Sequence, residues 1–172
     1  MRILQLCCFS DFWEPGHQVE SHDLKNGSDI LNLPKDYGKN FDLVCAAPPC
    51  DQFTKANSSR WIVYPHYYVE VAQTCFNLCR SSAGFWWLEN PPGRIESFVS
   101  GLTQFRMLTW SGCLTNKEYV IYSNFLIMNQ YVSRYGKSNI PRSKVEREIW
   151  QHDLIETISR NLSLCLMKKI HT

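Results

Sequence analysis

Apolar positions in the first half of the chain come in short runs broken by turn residues. Ile3 to Phe9 is one run, Gln18 to Asp23 is a second that ends on an acid, and Asp42 to Ala47 is a third. Runs of this length between turn signals predict buried strands. The third stops at Pro48-Pro49, because proline cannot donate to a central ladder. From Tyr64 to Arg80 the period changes, and Tyr68, Val71, Ala72, Cys75, Leu78 and Cys79 fall on one helical face. Phe85-Trp86-Trp87-Leu88 predicts a fourth strand, stopped by Asn90-Pro91-Pro92-Gly93. Phe105 to Trp110 and Glu118 to Phe125 predict two more, read as an antiparallel pair. Tyr131 to Arg142 is polar and turn-like, and Lys144 to Ile170 predicts amphipathic helix with Ile155, Ile158, Leu162 and Leu166 inward.

Strand, helix and strand in alternation predict a βαβ unit and an α/β fold with a mainly parallel sheet. Only residues 10–17 separate the first two strands, fewer than the roughly 10 to 12 that a crossover needs, so the first helix is shortened or absent. Both double-proline turns fall at strand C-termini, the edge where open α/β sheets bind ligands.

Composition narrows the class. A chain of 172 residues fits one domain over its whole length, and 44% hydrophobic with 20% charged residues excludes a disordered or fibrous chain. A net charge of +2 neither indicates nor excludes nucleic-acid binding. No apolar run approaches the roughly 18 residues of a membrane span, and the start lacks a signal-peptide layout, so a cytoplasmic protein is expected. The 8 cysteines lie mostly in or beside apolar segments and are read as reduced core thiols. Cys75 and Cys79 have no companion pair, and His17, His22 and His66 have no ligand spacing, so no metal is expected.

The candidate chemistry sits at the two proline turns. Cys50 follows Pro48-Pro49 just beyond a strand end; a thiol there becomes a nucleophile when cations or a helix N-terminus lower its pKa, and is otherwise a plain loop cysteine. Glu89 ends the next strand, so parallel neighbours bring it to the same edge. Beside Trp86 and Trp87 its carboxyl could keep a proton to donate to a ring nitrogen; alone it reads equally as a solvated loop acid or helix cap. Lys55, Arg60, Arg94 and Lys117 read as either a phosphate-binding rim or scattered solvated charges.

Pro48-Pro49-Cys50 with Gln52-Phe53, and then Glu89-Asn90-Pro91, resemble the nucleophile and acidic motifs of DNA cytosine-5 methyltransferases, especially the compact phage-type proteins. The resemblance runs from Met1 to about Phe125. It implies a Rossmann-like methyltransferase core with helices on both sheet faces, and Cys50 and Glu89 as catalytic residues. It also implies S-adenosylmethionine as cofactor, held by Phe9, Asp23, Asp29 and Pro48, with Gln52, Asn90, Arg94 and Lys117 toward the substrate. The implied partner is DNA with the target cytosine flipped from the stack, at a cost of about a few kcal/mol, in a host cytoplasm if the chain is phage-encoded. The family's glycine-rich turn after the first strand is replaced by Cys7-Cys8-Phe9-Ser10. The chain also leaves little room for a separate target-recognition region, so recognition is expected to be loose or supplied by a protein partner or a second copy. Two other readings keep the same motifs. Addition at C6 also labilises substituents at C5, which would suit a cofactor-independent lyase, and a noncatalytic DNA-binding relative would keep the fold alone.

Overall fold

The structure, a computed structural model, describes residues 1–8, 13, 16–54, 65–111 and 118–126. Among them it is an α/β fold built on one six-stranded sheet. The strands are β1 (Arg2–Leu6), β2 (Gln18–His22), β3 (Leu43–Ala46), β4 (Phe85–Asn90), β5 (Arg106–Ser111) and β6 (Glu118–Ser123), in the order β2-β1-β3-β4-β6-β5. The helix α1 spans Pro65–Ser81, and a single turn, α2, spans Ile95–Phe98. No helix among the described residues is long and apolar enough to cross a membrane.

The sheet is mixed, which corrects the mainly parallel sheet expected from the alternation of elements. β1 pairs parallel with β2 and β3, and β3 with β4, while β6 runs antiparallel to both β4 and β5. Six residues, 112–117, join β5 to β6, too few for the crossover that parallel neighbours require. The expected pair of closing strands is therefore antiparallel, and β6 is inserted between β4 and β5.

Burial on both faces explains the continuous apolar runs of the central strands. Leu4, Leu6, Val44, Ala46, Trp86 and Leu88 face α1, whose Val71, Ala72, Cys75, Phe76, Leu78 and Cys79 are buried against them. Ile3, Leu43, Cys45, Trp87, Tyr119 and Ile121 form the opposite face with Phe125, and Cys8, Trp13 and Phe85 pack against it. Helices on both faces are thus not seen among the described residues. Among the described residues outside the strands, Cys8, Trp13 and Phe125 pack on the opposite face, and Lys144 to Ile170 lies outside the described residues.

No described residue between β1 and β2 is helical. Returning along a five-residue strand requires about 17 Å, well within the reach of residues 7–17, so the parallel pairing needs no helix. β1 ends at Leu6 and not at Phe9 because Cys7 turns into the left-handed region at φ 56°, turning the chain out of the regular strand. For a residue with a Cβ this conformation costs about 1–2 kcal/mol.

Phe76, with no exposure, packs against β4. Its ring meets Trp86 and Phe105 edge-on, each at 5.8 Å, and those two meet each other at 5.0 Å. Arg80 caps the trio, its guanidinium 5.7 Å from the Phe76 centroid and 5.8 Å from that of Phe105. Truncation by Phe76→Ala leaves a hole that rigid neighbours cannot fill, with an expected loss of about 3–5 kcal/mol. Urea denaturation checks this; a midpoint equal to wild type would show that the trio is not a structural centre.

Candidate active site

β3 ends where the chain meets two prolines. Ala47 N–H donates to Leu6 O at 3.0 Å, the last contact of the ladder, and Pro48-Pro49 have no N–H to continue it. The chain then closes a tight turn in which Cys50 O accepts Phe53 N–H at 2.9 Å and Thr54 N–H at 3.0 Å. Phe53, 1% exposed, anchors that turn, its ring 6.0 Å from that of Phe98. Cys50 is left half-buried at the tip.

β4 lies beside β3 in parallel, with Ala46 opposite Leu88, so Glu89 and Asn90 emerge level with the first proline turn. Glu89 is 9% exposed and, two residues after Trp87, shares its face of the sheet. Asn90 is 1% exposed, and its Nδ2 donates to Pro48 O at 2.9 Å. Two more contacts bind the turns together. Arg94 N–H donates to Phe53 O at 2.8 Å, and Thr54 forms an isolated antiparallel bridge with Gly93. A Cβ on Gly93 would overlap the Phe53 carbonyl oxygen, so only glycine lets the two backbones approach this closely.

On the other side of β1, Asp23 and Asp29 each begin a short 3-10 turn. Asp23 Oδ1 accepts Lys25 N–H at 2.8 Å, and Asp29 Oδ1 accepts Leu31 N–H at 3.0 Å. A polar chain ties this loop to β2. Tyr37 Oη donates to Glu20 at 2.6 Å, Glu20 bonds His22 Nε2 at 2.7 Å, and His22 Nδ1 bonds Ser28 Oγ at 2.6 Å. The Tyr37 hydrogen bond holds the Glu20 carboxyl below the usual carboxylate range, with help from His22.

These loops enclose one cavity of about 480 Å³ at the C-terminal edge of the parallel strands. β1 has β2 on one side and β3 on the other, so the chain reverses its direction of winding there, the place where open α/β sheets take ligands. Cys50, Glu89, Asp23, Asp29 and Pro48 all line the cavity, so the structure brings together five of the residues singled out from the sequence. Gln52, Asn90 and Arg94 are not among the lining residues: Gln52 sits within the Cys50 turn, Asn90 is buried behind it, and Arg94 is exposed at the start of α2. Phe9 and Lys117 lie outside the described residues, as do Lys55 and Arg60. Cys7, Cys8, Tyr67, Tyr68 and Tyr119 also line the cavity without having been assigned a role from sequence. Burial, and then the charge of Asp29, raise the Tyr67 phenol above its ordinary range. Contact with Cys45, followed by burial, pushes the Cys8 thiol well up.

Comparison with protein-family models and with curated proteins finds no match to the chain. The geometry of the cavity therefore carries the functional argument.

Two outcomes are expected from the contacts that shape this edge. Gly93→Ala should cost about 1–3 kcal/mol, because the methyl group has no space unless the laced turns part. Thermal unfolding measures it, and an unchanged midpoint would refute the close approach. Glu20 titrates low in the folded chain, so its contribution to stability is present above the usual carboxylate range and is lost as pH falls through its folded pKa. Tyr37→Phe removes the main cause, and the variant should lose less stability than wild type between neutral and acid pH. Urea midpoints across that interval test it; parallel losses would exclude the coupling.

Proposed function

We propose that the chain is a DNA cytosine-5 methyltransferase-like enzyme with a Rossmann-like core, using Cys50 as nucleophile, Glu89 as acid and S-adenosylmethionine as methyl donor. The observation that carries this reading is that one cavity is lined at once by Cys50, Glu89, Asp23 and Asp29. A thiol and a carboxyl that share a sheet edge with two further acids suit a base on one side and a ribose and adenine on the other.

The residues present fit the cofactor. Its ribose hydroxyls are donors, and Asp23 offers a carboxylate that its backbone cap already holds in place. Asp29 and Ile30 border the same space for an adenine, and Pro48 closes it. The cofactor supplies an electrophilic methyl group when bound.

Cys50 and Glu89 perform the rest of the chemistry. The Cys50 thiolate adds to C6 of cytosine, forming an S–C6 bond, while Glu89 holds the N3 and N4 edge and delivers a proton to N3 as the ring gains electron density. C5, now nucleophilic, takes the methyl group. Loss of the C5 proton to water then restores the double bond and breaks the S–C6 bond, returning the thiolate, and N3 gives its proton back to Glu89. Asn90 acts through Pro48, fixing the height of the cysteine turn relative to Glu89.

Incubating the protein with cytosine-containing DNA, with and without S-adenosylmethionine, and analysing the nucleosides by mass spectrometry tests the reading. It expects 5-methylcytosine only when the cofactor is present. Loss of a C5 substituent without cofactor would establish the lyase, and DNA binding with neither product would establish the noncatalytic relative. Cys50→Ser should abolish turnover, and Glu89→Gln should lower it by about 10² to 10⁴-fold, because the amide cannot deliver the proton. Wild-type turnover in either variant would remove that residue from the mechanism.

A further inference from the structure

Cys7 stands at the one described non-glycine position with a left-handed backbone, φ 56°. It is half-buried in the cavity wall, and its Sγ lies 3.9 Å from Sγ of Cys75, a residue of α1 with no exposure. A backbone conformation that glycine adopts freely is held here by a residue whose side chain reaches a second thiol. An outlier of this kind at a cavity wall is a reason to look for a role in the side chain.

We propose that Cys7 and Cys75 are a peroxide-oxidisable dithiol whose disulfide ties the end of β1 to α1 and restricts the cavity. Cys7 is reached first because it borders the cavity. Its sulfur attacks a peroxide oxygen, forming an S–O bond and breaking the O–O bond, and the departing hydroxide takes a proton to become water. The Cys75 sulfur then attacks the Cys7 sulfenic acid, forming the S–S bond, and the S–O bond breaks to release a second water. Two thiols lose two protons and two electrons in all, and one hydrogen peroxide is reduced to two waters. Burial holds the Cys75 thiol well above its ordinary range and out of reach of peroxide, so it takes the second step through its position 3.9 Å from the Cys7 sulfur and not through its acidity.

Bond formation draws the two sulfurs from 3.9 Å to about 2.05 Å, pulling the Cys7 turn onto the helix face that also presents Tyr67, Tyr68 and Val71 to the cavity. A ligand lying between that turn and those side chains loses space. The neighbouring pair behaves differently. Cys8 donates to Leu6 O at 3.3 Å and Cys45 to Leu4 O at 3.4 Å, so both thiols are engaged by backbone.

The test treats the reduced full-length protein with hydrogen peroxide, alkylates it and maps the peptides by mass spectrometry. A Cys7–Cys75 linked peptide, reversed by dithiothreitol, is expected in wild type, and a dimedone adduct on Cys7 in Cys75→Ser. Absence of the linked peptide, or a Cys8–Cys45 crosslink in its place, would overturn the proposal. Cys7→Gly keeps the left-handed turn, so the variant folds while lacking the thiol. The effect on binding rests on the proposed cofactor and is read separately, by calorimetric titration of oxidised and reduced protein with S-adenosylmethionine. Oxidation should weaken binding about tenfold in wild type and leave Cys7→Gly unchanged. Equal weakening in Cys7→Gly would overturn the restriction of the cavity. If reduced wild type does not bind the cofactor, the functional reading fails, and the linked peptide still decides the dithiol.

Discussion

The parallel register of β3 and β4 is the constraint on which the candidate site depends. With Ala46 opposite Leu88, Glu89 and Asn90 at the end of β4 stand level with the turn that follows β3, and each strand runs into a proline-rich turn that cannot extend the ladder. The turns are then held to each other by contacts that the sheet itself does not provide: the Asn90 amide on Pro48 O, Arg94 N–H on Phe53 O, and the bridge between Thr54 and Gly93. A slip of one residue would send Glu89 to the α1 face and take it away from the cavity. The placement of Cys50 and Glu89 on one cavity is in this sense a property of strand pairing before it is a property of the loops.

Much of this was legible in the sequence because it is local. Short apolar runs ending in prolines mark strands by composition alone, and the cysteine and glutamate follow those runs directly. The helical stripe was legible for the same reason. Phe76 was not counted on that stripe, yet the residue has no exposure because Trp86 from β4 and Phe105 from the turn before β5 close over it. Long-range pairing was the harder part. Nothing near Glu118–Ser123 announces that the strand inserts between β4 and β5, so the mixed sheet was not foreseen in full. Asn90 was legible only in part for a related reason. From sequence it reads as a substrate contact, and its amide bond to the Pro48 carbonyl, 42 residues away, is visible only in the fold.

Burial sorts the thiols more sharply than their number suggests. Cys75 and Cys79 have no exposure, and desolvation pushes both thiols well above the ordinary range, which suppresses the thiolate. Cys45 is as deeply buried and donates to a backbone carbonyl. Cys50 differs by position, since the Pro-Pro turn carries it beyond the sheet to a half-buried site on the cavity. The same polypeptide thus packs cysteine as a small hydrophobe in its core and presents it on a cavity at its edge.

The two acids on the far side of the cavity bear on how a structural role relates to a binding one. Each uses one carboxylate oxygen to cap a turn, Asp23 on Lys25 N–H and Asp29 on Leu31 N–H. A cap alone would explain why an acid stands at either position. A carboxylate, however, offers about four acceptor sites, and a single cap occupies one of them. The cap also removes rotamer freedom that a ligand would otherwise have to restrict on binding. Under the proposed function, a hydroxyl-bearing ligand entering the cavity would thus meet acceptors already oriented by the fold, and the bond that makes Asp23 look structural would also prepare it to bind.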